Sequence, residues 1–230
     1  MPTNSIDPTA TTTVTDTSHV DGGRTYGGRS VIDRQADRRR RFLDAALAEF
    51  GESGYAASSV TSICKAAGLS RRQFYEIFDD RESLLMAAYD EIQSAARTAV
   101  IEALAGVEST DRKDLATAAM RAYVESVAVD PRRAEVSFVQ IVGVSPVVEQ
   151  HRLDVRDEWT TYFVAAMAQF TGREAAPRMR SLGTAFVGAL TAVIHEWSFS
   201  AAAGASDSTS AQLEAIVELL ADMLVAFAEM

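Results

Sequence analysis

Between Gly68 and Phe78 the chain reads Gly-Leu-Ser-Arg-Arg-Gln-Phe-Tyr-Glu-Ile-Phe. At helical pitch Arg71, Arg72, Tyr75 and Glu76 share one arc of this stretch, while Phe74, Ile77 and Phe78 share the other. One arc suits a core and the other suits duplex DNA. An arginine fork matches the O6/N7 edge of guanine in the major groove, whereas tyrosine hydroxyls and helix N-terminal amides suit phosphate oxygens. Ser70 and Gln73 stand three apart as a capping box, so a helix starts at Arg71 and carries Arg72 and Gln73 near its exposed end. Asp79 and Glu82 repeat that spacing ahead of the next helix. Ser59, opening the preceding helix, offers phosphate a hydroxyl together with orphan amides, and Arg81 opens the following one. Arg38 and Arg41 end a run of four arginines spread over a full helical turn, so only part of that run can face a phosphate backbone at once.

Helices must position these side chains, and almost everything beyond residue 32 reads as helix. No long stretch sustains the period-two, β-branched pattern of a strand. Nine helices are predicted, over about 34–52, 59–67, 71–78, 80–105, 111–129, 131–142, 146–170, 175–200 and 209–229. Gly54, Gly68, Gly143 and Gly172 supply stops, and Asp130-Pro131 and Ser145-Pro146 each put a capping side chain before a proline in the first turn. The fold class is all-α: an N-terminal three-helix helix-turn-helix unit over 33–79 and a larger helical body over 80–230. Residues 1–32, rich in Thr, Ser, Gly and Asp, cannot repay the entropy of ordering and read as a disordered arm.

Composition narrows the function classes. With 22 basic and 32 acidic side chains the net charge is −10, which argues against a polyanion binder held by bulk charge. The charge is uneven, however: residues 24–85 hold 11 basic against 9 acidic side chains, and residues 86–230 hold 11 against 20. The small N-terminal unit is the basic one. The single cysteine, Cys64, leaves no intrachain disulfide or cysteine-cluster zinc site; it reads as a packing residue and fits a reducing cytoplasm. The longest charge-free apolar-leaning stretch, Ser181 to Ile194, is short of a membrane span. His151 and His195 are too isolated to be metal ligands, and the chain has no G-x-S-x-G, H-E-x-x-H, P-loop or G-x-G-x-x-G pattern. Neither a metal, a cofactor nor an enzymatic reaction is expected.

In the body, Tyr123, Phe138, His151, Val155, Trp159, Tyr162 and Phe163 lie on stripes that should converge. An aromatic-lined cavity with a few polar tips is what a small apolar ligand needs. Two wide apolar stripes mark the last helices: Phe186, Leu190 and Ile194 on one, and Leu213, Ile216, Leu220, Met223, Leu224 and Phe227 on the other. Together they exceed what one small body needs to bury, and they are expected to meet a second copy of the chain.

The segment from Arg38 to Leu85 closely resembles the N-terminal domain of the TetR family of transcriptional regulators. The matching residues are Ala45-Ala46, Phe50, Gly54-Tyr55, Ser59-Val60, Ile63, Ala67-Gly68-Leu69-Ser70, Phe74-Tyr75, Phe78, Glu82 and Leu84-Leu85. The resemblance implies a cytoplasmic, homodimeric repressor that binds a palindromic double-stranded DNA operator and releases it on binding a small hydrophobic effector. It also implies that the last two helices form the dimer interface. Control by a protein partner, or activation instead of repression, would use the same head. Three departures stand out. Arg72 and Gln73 replace a small pair usual at the groove, and Arg81 replaces a usual lysine, a change that keeps a positive charge for phosphate. Glu76 replaces an aromatic or histidine, and its carboxylate is repelled by phosphate unless it meets a cytosine amine or Arg72.

Overall fold

A computed structural model describes residues 31–128, 130–171, 177–202 and 209–229. Most of the expected N-terminal arm, and the stop at Gly172, lie outside these residues. Asp37–Met230 form one compact unit. Among the described residues there is no strand, and no helix is long and apolar enough to cross a membrane.

Helix α1 (Val31–Ala48) runs on into a π-helical turn, Glu49–Ser53, followed by the short helices α2 (Val60–Ala67) and α3 (Arg71–Tyr75). These elements form because their apolar residues meet in one cluster. Phe42, Phe50, Ile63 and Phe74 are fully buried there, with Phe42 edge-on to Phe74 at 5.4 Å and to Phe78 at 6.2 Å between ring centroids. Each start is capped as its sequence requires. Ser59 and Ser62 make a reciprocal box on α2, and Ser70 and Gln73 make one on α3. Gly68 ends α2 at φ 62°, the left-handed conformation that glycine reaches without a Cβ clash. Cys64 is buried in this cluster, and burial pushes its thiol up in pKa, which suits packing more than redox sensing.

The body starts with α4 (Arg81–Gly106). Its cap is Asp80 with Ser83, one residue later than the expected Asp79 and Glu82, because Asp80 is the last residue in extended conformation. Then follow α5 (Arg112–Ala128), α6 (Pro131–Ala134), a second π-helical turn (Glu135–Gln140), α7 (Pro146–Thr171), α8 (Pro177–Ala202) and α9 (Thr209–Glu229). Helices α4, α7 and α8, at 26 residues each, are about 39 Å long. α4 packs along α5, α5 along α9, α7 along α8, and α8 against α9.

This packing corrects the expected dimer stripes. Phe186, Leu190, Ile194, Ile216, Leu220 and Leu224 are buried in the chain's own core, and Leu213, Met223 and Phe227 pack half-buried against it. Each late helix has two neighbours within the chain, so a wide stripe is consumed internally. What α8 and α9 leave exposed is a different set, including Thr184, Ala185, Ala192 and Phe199 on α8 and Ala215, Leu219 and Ala226 on α9.

Candidate nucleic-acid interface and effector cavity

Helix α3 presents the arc the sequence assigns to DNA. Arg71, Arg72, Tyr75 and Glu76 are exposed, Gln73 is half-buried and Phe74 is fully buried. The Arg72 side chain keeps 89% of its surface open. Glu76 is not a bare carboxylate: Arg72 Nε donates to it at 3.2 Å and Arg38 Nη1 at 3.3 Å. Those two cations offset the repulsion that phosphate would otherwise exert, and they tie α1 to α3. Gln73 Oε1 accepts from the Ser70 amide and hydroxyl, both at 2.9 Å, so the cap occupies its oxygen and leaves its amide N–H groups for a base edge.

The other arginines are largely spent on the head itself. Arg41 Nη2 donates to the Ala67 carbonyl at 2.6 Å and to that of Gly68 at 3.1 Å, closing the end of α2. A Cβ on Gly68 would stand 2.9 Å from that nitrogen. Arg39 lies over the Phe78 ring, and Arg40 is exposed with no partner among the described residues. Arg81 departs furthest from expectation. Its Nη1 donates to the Tyr55 carbonyl at 2.9 Å, the Ser58 carbonyl at 2.5 Å and the Ser58 hydroxyl at 3.1 Å, and its guanidinium lies 4.5 Å over the Tyr55 ring. It is therefore a staple of the loop before α2 instead of a side chain held out to phosphate. Ser59 remains exposed at the start of α2, with its hydroxyl accepting from the Ser62 amide.

Behind the head, the body encloses a cavity of about 150 Å³, a size comparable to protein cavities that admit benzene. Tyr123, Phe138, Trp159, Tyr162 and Phe163 line it, as the sequence suggests. His151 and Val155 do not. His151 Nε2 lies 2.7 Å from the Asp90 carboxylate on α4, and Val155 is buried elsewhere in the core. Phe186, Leu190 and Leu224, expected at a dimer interface, line the cavity instead. Trp159 Nε1 donates to the buried Gln93 at 2.9 Å, and its ring stands edge-on to Tyr123 at 5.2 Å. The sequence reading missed Tyr89, Gln93, Ser137, Arg152 and Arg156. Arg152 and Arg156 carried a usable signal, since they fall in helical phase with Trp159 and Phe163.

Head and body meet through polar groups. Gln140, at the end of the second π turn, accepts from the Tyr55 amide at 2.7 Å and donates to Glu135 at 2.7 Å. Arg132 reaches Glu52 at 3.1 Å, while within the body Ser145 donates to Glu82, at the start of α4, at 2.7 Å. Arg132 also grips Asp130 and holds its carboxyl below the usual range. Gly51 lies so close to Arg132 that a Cβ there would come within 2.5 Å of the arginine's own Cβ.

Fold and site together define a helix-turn-helix head on a larger helical body. Residues 42–88 match the family model described as bacterial regulatory proteins, tetR family. Over 76 residues the chain is 37% identical to the HTH-type transcriptional repressor Rv1474c of Mycobacterium tuberculosis, covering 33% of this chain and 41% of that protein. It thus spans about two fifths of the length of that curated relative. The fatty acid degradation regulator FadR of Bacillus halodurans superposes with a TM-score of 0.69 at 18% identity, covering 82% of this chain and 94% of its own. FadR of Bacillus subtilis, solved in complex with stearoyl-CoA, does so at 0.64 and 17%, covering 79% and 97%. The resemblance to the tetR family thus rests on residues 42–88, and the fold of the larger part of the chain is that of solved regulators.

Proposed function

We propose that this chain is a dimeric transcriptional repressor whose operator affinity falls when a small, largely hydrophobic effector fills the cavity of the body. The observation that carries this reading is the shared wall. Ser137 and Phe138 line the cavity from the same π turn whose Gln140 holds the Tyr55 amide in the head. From Tyr55 the contacts continue through Arg81 to Ser58, next to the cap of α2. A ligand that moves the wall has a short physical route to the DNA-facing loop, in parallel with the linker helix α4. The repressor name of the mycobacterial relative and the acyl-CoA held by the Bacillus subtilis regulator support the two halves of the reading.

Release requires differential affinity. Two sites that each favour the released state a hundredfold give the shift of about 10⁴, roughly 5.5 kcal/mol, that turns a 1:99 equilibrium into 99:1. The dimer forms through the outer faces of α8 and α9, and it presents two heads about 34–36 Å apart, or a multiple, to successive major grooves. Selecting bound sequences from a random DNA pool tests this directly: a two-fold symmetric product supports it, and recovery of no sequence preference sinks it.

Arg72 supplies a sharper check. Arg72→Ala is expected to weaken the selected operator by about 1–3 kcal/mol and to relax preference at one base pair. Glu76 remains paired with Arg38 in that variant, so α3 keeps its place. Wild-type affinity across a range of salt would show that Arg72 does not read bases.

A further inference from the structure

We propose that the cavity selects an amphipathic anion, with its acidic head at Arg156, Tyr89 and Ser137 and its apolar tail along Trp159, Phe163 and Met167. This rests on the effector reading and names the chemical class of the effector.

The lining is asymmetric in charge. It includes three arginines and no Asp or Glu, in a chain whose net charge is −10: Arg152 and Arg156 on α7, and Arg112 at the start of α5, a short loop beyond the Leu104 end of α4. The asymmetry is ordered along α7, where Arg152, Arg156, Trp159, Phe163 and Met167 form one stripe that turns from guanidinium to aromatic to thioether. From Arg156 to Met167 that stripe extends about 16 Å. Helices α4 and α8 follow the same gradient. Asp90 lies beside His151 and Gln93 beside Trp159, so Tyr89 belongs at the arginine end of the stripe and Leu104 at the far end. Gly183 packs on Phe163 and Gly188 faces Arg156, so α8 runs antiparallel to α7 and brings Thr191 to the arginine end.

Several polar groups of the lining lack partners among the described residues. Ser137 is 4% exposed, and its buried hydroxyl makes no hydrogen bond. The Tyr89 hydroxyl, on a buried ring, has no hydrogen-bond partner among the described residues. Burial pushes Tyr89 up to about 12, so it stays a neutral donor at physiological pH. Arg152 is committed to Glu149, through bonds of 3.0 and 2.5 Å. Arg156 faces no carboxylate within 4 Å among the described residues, and its Nη2 lies 3.6 Å from where a Cβ on Gly188 would stand. A buried hydroxyl without a partner is costly, and a half-buried cation without one adds to that cost. All three groups can donate, so a ligand head that only accepts would satisfy them together. A carboxylate is such a head. An alcohol offers fewer acceptor sites and no charge, and an amine is repelled.

Octanoate, octanol and octylamine serve as probes with the full-length protein, read by Trp159 fluorescence in a Trp197→Phe background and by release from the selected operator. Octanoate is expected to bind at least tenfold more tightly than octanol, and octylamine to bind least. Arg156→Gln should erase most of that preference, Arg156→Lys should restore much of it, and Ser137→Ala should weaken octanoate several-fold. Equal binding of octanoate and octanol, binding of none of the three, or octanoate binding unchanged in both Arg156→Gln and Ser137→Ala overturns the assignment. The two readings separate cleanly. Octanol that binds equally and still releases DNA keeps the effector and removes the anion, whereas octanoate that binds selectively without releasing DNA keeps the anion and removes the effector.

Discussion

Leu220→Asp is expected to abolish the folded protein, not merely the dimer. Leu220 is fully buried in the core on α9. Truncating such a side chain costs about 2–5 kcal/mol, and an unpaired carboxylate in its place adds several more, against a total stability of about 5–15 kcal/mol for a typical domain. Circular dichroism should show loss of helix or an insoluble chain. The next residue gives the contrast. Leu219 is about half exposed, so Leu219→Asp should leave the helical spectrum and melting temperature close to wild type while shifting sedimentation toward monomer. A well-folded monomer from Leu220→Asp would instead mean that its stripe faces a partner.

Arg81→Met should lower stability by about 2–4 kcal/mol. One nitrogen of Arg81 satisfies two carbonyls and a hydroxyl in the loop from Tyr55 to Ser58, and Ser58 itself is buried. Removing the guanidinium leaves those acceptors unpaired in a half-buried site, and bonds to charged groups are the more costly ones to lose. Thermal unfolding followed at the head, together with loss of operator affinity, is the expected pattern. If Arg81 served phosphate instead, the variant would melt like wild type and the slope of log K against log salt would shrink by about one.

Much of this was legible in the residues. Capping boxes, proline starts and glycine stops are local, so the helix starts at Ser59, Ser70, Asp130 and Ser145 followed from short-range chemistry. The exposed and buried arcs of α3 followed from helical phase alone. Phase does not say which neighbour covers a stripe, however, and that is why the apolar runs of α8 and α9 pointed to a partner when α5, α7 and the cavity consume them. Arg81 was misassigned for a related reason: a cation beside a DNA-reading helix looks like a phosphate ligand until the carbonyls of a loop 23 to 26 residues away are seen to bind it. The π turns carry no pattern that separates them from α-helix. With no sign of the turn at Glu135–Gln140, nothing placed Ser137 on the cavity wall.

The joint between head and body bears on how far this regulator can be taken apart. Gln140 and Arg132, both in the segment from Asp130 to Ser145, hold the Tyr55 amide and Glu52. The Tyr55 amide belongs to the loop that positions α2, and Gly51 is shaped to the backbone and side chain of Arg132. The head is thus not a detachable module, despite its small size and its own aromatic cluster. A chimera that grafts residues 37–80 onto another helical body inherits the exposed arc of α3 but leaves these groups without their counterparts. To transplant the sensitivity of the head as well as its operator preference, an engineer would have to move the segment from Asp130 to Ser145 with it, so that the heritable unit is discontinuous in sequence.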